Sequence, residues 1–209
     1  MPNLLVGVNK EKEDRGEEEM VKEKFRGRIF SSSFERGDRV VIGAWDVSPL
    51  GGFTNIMWAD PNGNRTLLSP SEKHADYVSS LYSFEEIRIV PFDVKIDGKS
   101  ISVKADDFTV SMSWGFRFPL PLPRPLWFIS SVENFFAKML FGTRTHGIAN
   151  NGSEEWYSIR SISWLKDASA MVSGNNLGAM SSRTESSCFG FSEPPIRPAA
   201  VSLTSIIEK

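Results

Sequence analysis

The chain has 209 residues, with 24 basic and 26 acidic side chains, 15 Phe, 6 Trp, 3 Tyr, 2 His and 1 Cys. A single domain of this size buries roughly 70% of the surface its unfolded chain exposes. The near-neutral balance excludes an electrostatic nucleic-acid binder, which needs a surplus of Lys and Arg over phosphate, so no nucleic-acid partner is expected. Cys188 alone excludes a disulfide framework or a thiolate zinc site, and with only His74 and His146 no metal or cofactor is expected.

At the start of the chain Leu4, Leu5, Val6 and Val8 are apolar but have no basic leader, and no apolar stretch reaches the roughly 18 to 20 residues of a spanning helix. The expectation is a soluble, cytoplasmic protein without a transmembrane segment. From residue 9 to 24, 12 of 16 side chains are charged, and they account for the whole net charge of −2. Such a segment has little to bury and predicts a solvated, disordered arm over residues 1–24, followed by one domain over 25–209. Met20, just before that domain, is an alternative start of translation.

Strand-like sequence begins at Phe25. Residues 39–45 and 53–58 are rich in β-branched and aromatic side chains and are separated by Ser48-Pro49-Leu50-Gly51-Gly52. Asp60-Pro61-Asn62-Gly63-Asn64 then turns the chain into a further strand over 65–68. Ser69-Pro70-Ser71-Glu72 reads as a helix start, with a Ser cap, Pro at the first position and a capping-box Glu. The stripe Ala75, Val78, Leu81 and Tyr82 extends that helix over residues 70–82, with His74 at its edge. Ile87 and Ile89 alternate with charges, the phase slips at Val90-Pro91, and Phe92, Val94 and Ile96 resume, as a bulge or edge break would allow. Asp97-Gly98 predicts a hairpin turn. Asp106-Asp107 is a polar break, after which Phe108, Val110, Met112, Trp114, Phe116 and Phe118 fall on one strand face.

The alternating prolines of residues 119–125 predict an extended, polyproline-like segment. A second helix is predicted over residues 126–141, with Phe128, Val132, Phe135, Phe136 and Met139 on its apolar face. A turn at Asn150-Asn151-Gly152 precedes strands over 154–164 and 167–172. Residues 173–187, rich in Ser, Gly and Asn, read as a mobile loop, and a last strand covers 200–207. The acceptor-like triplets Asn64-Arg65-Thr66 and Asn151-Gly152-Ser153 are read as turns rather than glycosylation sites.

Phosphate-loop, dinucleotide, hydrolase-elbow and zinc-helix motifs are all absent from the sequence. Cys188 precedes Phe189-Gly190-Phe191 and lacks a neighbouring base, so it is read as incidental. One constellation has chemical promise. If Asn151-Gly152 is a two-residue turn, Ile148 opposes Glu155, His146 opposes Tyr157 and Arg144 opposes Ile159. Arg144, His146, Glu155 and Tyr157 then share a face. His146, beside the Glu155 carboxylate, could serve as a general base with a raised pKa while Arg144 holds an anionic group. A three-residue loop would separate the cluster.

The segments Gly142-Thr143-Arg144-Thr145-His146-Gly147 and Gly152-Ser153-Glu154-Glu155-Trp156-Tyr157, together with residues 53–71, resemble segments of an uncharacterised family of prokaryotic β-rich proteins. The resemblance implies a β-rich fold and supplies neither an activity nor site residues. The expected fold class is α+β: an antiparallel, β-rich curved sheet or partly closed barrel with two covering helices. The leading functional expectation is a binding protein for a small, largely apolar ligand, held between Phe108, Met112, Trp114 and Phe116 on the strand and Phe135 and Phe136 on the helix. The alternatives are an enzyme acting on a small anionic substrate through Arg144, His146, Glu155 and Tyr157, and a protein-protein interaction module with an exposed aromatic helix face.

Overall fold

The alternating segments of the first third form a meander. In the computed structural model, which describes residues 22–120, 125–130, 144–184, 189–190 and 194–208, β1 (Lys22–Phe34), β2 (Arg39–Val47), β3 (Phe53–Ala59) and β4 (Arg65–Ser69) pair antiparallel in sequence order. β1 starts inside the stretch expected to be a disordered arm. The strand accommodates these charges because partners meet them: Lys22 lies 3.5 Å from Glu208, and the Tyr77 hydroxyl donates to the Glu23 carboxylate.

α1 (Glu72–Leu81) packs Ala75, Val78 and Leu81 against this meander. It begins later than the capping-box reading places it. Ser69 is still in β4, with its carbonyl accepting from the Val90 N–H and its hydroxyl donating to the Ser71 carbonyl. Ser71 is the residue that caps the helix by position, and its hydroxyl is engaged 2.7 Å from His74 Nδ1.

β5 (Glu86–Ile89) runs parallel to β4, and β6 (Phe92–Asp97), β7 (Ser100–Ala105) and β8 (Phe108–Trp114) form a second antiparallel meander. Gly98-Lys99 and Asp106-Asp107 are the two-residue turns, with Gly98 and Asp106 at φ of 54° and 57°. β9 (Phe118–Pro119) and the three-residue α2 (Leu126–Phe128) follow, then β10 (His146–Ile148) and β11 (Glu154–Val172). The two strands expected over 154–172 are one long strand whose register shifts at two places. β12 (Asn175–Asn176) and β13 (Met180–Ser181) lie inside the expected mobile loop, where each pairs with a neighbour, and β14 (Ala199–Glu208) ends the fold.

The main strand order is β5-β4-β3-β2-β1-β14-β11-β8-β7-β6. Its two ends are consecutive in sequence. Val90-Pro91 is therefore a corner at which the chain passes from one edge of a curled, half-barrel sheet to the other, which is the physical origin of the phase slip. Pro91 has no N–H to leave unpaired there. Arg88 of β5 reaches Asp106 at 3.1 Å and Asp107 at 2.6 Å on the β7–β8 turn, tying the two halves together beside that corner.

Inside the curl, Phe30, Val40, Ile42, Ile56 and Leu68 of the first half pack against Ile101, Val103, Phe108, Val110 and Met112 of the second. The other face of the first half is also covered, by α1 and by Phe189. Burial on both faces explains why every residue from Arg39 to Ala44 is inaccessible. The protein is thus β-rich as expected, but of the two covering helices only α1 is a covering helix among the described residues. Beyond Leu126–Phe128 and the two following residues, the predicted second helix, with Phe135 and Phe136, lies outside the described residues, as does Cys188. No helix among the described residues is long and apolar enough to cross a membrane.

Candidate functional site

The sheet face under α1 is apolar except at Asn55 and around Glu155. Phe25 of β1, Trp45 of β2 and Phe53 and Met57 of β3 meet Tyr77, Val78, Leu81 and Tyr82, with Phe189 alongside, and they line a cavity of about 70 Å³. The polar groups reaching it are Asn55, Glu155, Tyr157 and Ser205. By this measure a water molecule needs roughly 10 to 15 Å³, so the space admits a handful of heavy atoms.

Glu155 is 2% exposed, yet its carboxyl is surrounded by hydroxyls. Ser205 Oγ donates to Oε1 at 2.9 Å, and the Tyr82 hydroxyl lies 3.2 and 3.3 Å from the two carboxyl oxygens. Tyr82 and Tyr157 are joined oxygen to oxygen at 2.6 Å, which completes a relay from Tyr157 through Tyr82 to Glu155. Burial pushes the Glu155 carboxyl up to about 7, although the hydroxyls of Ser205, Tyr157 and Tyr82 favour its charged form. Burial first, and then the carboxylate, hold the Tyr82 and Tyr157 phenols well above their ordinary range. The result is a carboxyl that can hold or release a proton at neutral pH inside an aromatic enclosure.

Asn55 supplies the second polar feature. Its side-chain oxygen is buried and has no hydrogen-bond partner. It lies over Gly43, where a Cβ would fall 2.7 Å from Asn55 Oδ1 and 2.9 Å from Trp45 Nε1. Gly43, lacking a Cβ, therefore lets the unpaired Asn55 acceptor and the Trp45 indole nitrogen pack closely over its backbone.

The expected four-residue cluster is divided. His146 pairs with Trp156, Gly147 with Glu155 and Ile148 with Glu154, one residue away from the assumed register. The cause is the turn, a three-residue loop in which the Ala149 N–H donates to the Ser153 carbonyl at 2.9 Å and Gly152 takes φ of 85°. A one-residue slip inverts the faces. His146 consequently stacks on Trp156, 5.3 Å between ring centres, and its Nε2 meets Glu154, while Glu155 and Tyr157 turn to the cavity. Arg144 is exposed ahead of β10. The structure brings together Glu155 and Tyr157 and leaves Arg144 and His146 outside that grouping.

The expected ligand face is also divided. Phe108 and Met112 are fully buried in the core between the two sheet halves, so they fill space there rather than line the cavity under α1. Trp114 packs against that core at its rim. β8 ends at Trp114, so the single strand face does not continue: Phe116 is 68% exposed and Phe118 48% exposed, and they pack against each other. Phe135 and Phe136 lie outside the described residues.

Sequence reasoning missed Asn55, Gly43, Tyr82 and Ser205. The only local signal was a polar Asn inside an aromatic β-branched run, beside a glycine in the neighbouring strand. Among the described residues no group of three or more His, Cys, Asp or Glu side chains is placed to hold a metal ion.

Compared with known proteins, the chain matches no family model and no curated sequence.

Proposed function

We propose that this protein binds a small, largely apolar molecule by its hydrogen-bonding end, in the cavity between α1 and the sheet. The observation that carries the reading is the buried, unpartnered side-chain oxygen of Asn55, a residue of the cavity lining. A buried acceptor without a donor costs about 1 to 3 kcal/mol, and a ligand N–H or O–H placed there removes that cost. Aromatic walls supply the apolar contact, and the Glu155 carboxyl in the same lining is a donor when protonated and an acceptor when ionised. The small volume selects either a compact molecule or the tip of a longer one.

Native mass spectrometry of the full chain, with Gly43→Ala alongside, tests this. The expected outcome is a small molecule retained one-to-one by the wild type and absent from the variant, whose added methyl displaces the Asn55 amide and the Trp45 ring from the cavity wall. Retention by both at equal occupancy would refute the placement.

A second reading is favoured by a separate observation, the Tyr157–Tyr82–Glu155 relay with its carboxyl near neutrality. In it the bound molecule undergoes proton transfer, with Glu155 as acid or base. The two readings part at Glu155→Gln: a binding protein keeps its ligand without turning it over, whereas an enzyme binds and loses turnover.

A further inference from the structure

A second hollow lies on the opposite face of β1, β14 and β11, where the curl opens beyond Phe30, Ala200 and Trp114. Its volume is about 570 Å³, and its walls carry Arg26, Arg28, Lys99, Arg117 and Arg160 against a single carboxylate, Asp46. That volume falls within the roughly 300 to 1,000 Å³ of small-molecule sites. Among the described residues none of these five cations is in an ion pair, although other surface cations such as Lys22, Arg65 and Arg88 are.

The groove is built by the sheet rather than left by loose side chains. Arg28 pairs with Ser202 and Ser202 with Ser161, so a guanidinium and two hydroxyls stand in one row across three adjacent strands. Arg117 Nε donates to Ser161 Oγ at 2.7 Å, which leaves that hydroxyl's own proton to be donated elsewhere. Ser163 extends the hydroxyl surface toward Ala200. Two register shifts aim charge at the same place. Ile159 pairs with Leu203 and Ser161 with Ser202, which makes Arg160 the extra residue of a bulge in β11. Arg26 pairs with Val47 and Gly27 with Trp45, which makes Asp46 the extra residue of a bulge in β2. Bulges re-aim side chains in this way beside functional sites.

We propose that this cationic groove binds the phosphate group of a small soluble phosphate ester. Guanidinium groups present a planar fork that matches phosphate oxygens, and the serine hydroxyls complete the donor set. Five like charges in one concavity repel one another, and a dianionic group relieves that repulsion. Trp114 at the apolar end gives the organic body of the molecule a surface. The chain's net charge of −2 and the bounded shape of the groove disfavour a polyanionic strand or a membrane face.

The test is calorimetric titration of the full chain with inorganic pyrophosphate at low ionic strength, where charge is least screened. We expect one-to-one binding, an affinity at least tenfold weaker in Arg28→Gln/Arg160→Gln, and no change in Lys104→Gln, a cation outside the groove. Pyrophosphate should raise the melting temperature of the wild type and not that of the double variant. Should the double variant fail to fold, exposed Arg26→Gln gives the same comparison. Absence of heat and of a melting shift in the wild type overturns the proposal. So does equal weakening in Lys104→Gln, which marks a general charge effect, or binding to vesicles of anionic phospholipid without binding to pyrophosphate.

Discussion

Glu155 concentrates the chemistry of the molecule in one side chain. Its carboxyl titrates at 4.5 in an ordinary setting and at about 7 in the fold. Between those pH values the folded chain holds a proton that the unfolded chain has lost. The group's contribution to stability is therefore complete below about pH 4.5 and disappears as pH rises through 7. A shift of this size corresponds to about 3 kcal/mol at most, as an order of magnitude. Gln at this position has nearly the same shape and cannot ionise. Urea unfolding should accordingly show Glu155→Gln more stable than the wild type near pH 8 and close to it near pH 5. Identical pH slopes for the two proteins would show that Glu155 is not the group responsible. The sequence placed Glu155 and Tyr157 on one face together with Arg144 and His146. The first two stay together because residues two apart in a strand share a face, and the others depended on the hairpin register. It could not supply Tyr82 or Ser205, which reach the same carboxyl from 73 and 50 residues away.

At the scale of elements, alternation was legible wherever one face met solvent. β7 reads exposed, buried, exposed, buried along its length, just as Ile101 and Val103 suggested. It was least legible in β1, where the serines from Ser31 to Ser33 are all buried and no period of two stands out. The hairpin of β10 and β11 shows the sharper limit. Asn150-Asn151-Gly152 announces a turn in either register, and one residue of loop length decides which face His146 takes. The bulge between β1 and β2 was equally silent, although it fixes a testable requirement. A Cβ on Gly27 would stand 2.2 Å from the Ala44 carbonyl oxygen and 2.8 Å from Trp45 Cα, both backbone atoms that cannot swing aside. Gly27→Ala should cost about 1 to 3 kcal/mol, on the scale of an overpacked interior. Urea unfolding that matches the wild type would mean the bulge relaxes freely.

For the whole molecule, the central fact is that β1, β14 and β11 are paired along both edges and carry a different hollow on each face. The aromatic cavity lies on the α1 side of these strands and the cationic groove on the other. Neither hollow is legible from a local motif, because each draws on strands spread from residue 25 or 26 to beyond residue 200, and only the closing of the chain juxtaposes them. That arrangement requires the three strands to act as a rigid partition. β5 and β6, by contrast, are the ends of the strand order, and Ile87, Ile89 and Ile96 on them remain exposed at 46%, 45% and 40%. Local opening follows the number of buried contacts and paired neighbours, so the ends should open without the centre. Native-state hydrogen exchange should place the amides of Ile29, Phe30, Ile162 and Val201 in the slowest class, exchanging only by global unfolding. Amides of β6 that do not face β7 should exchange far faster. Equal protection of β6 and β1 would mean that the curl opens only as a single unit, and that the partition owes its rigidity to closure of the sheet rather than to its central position.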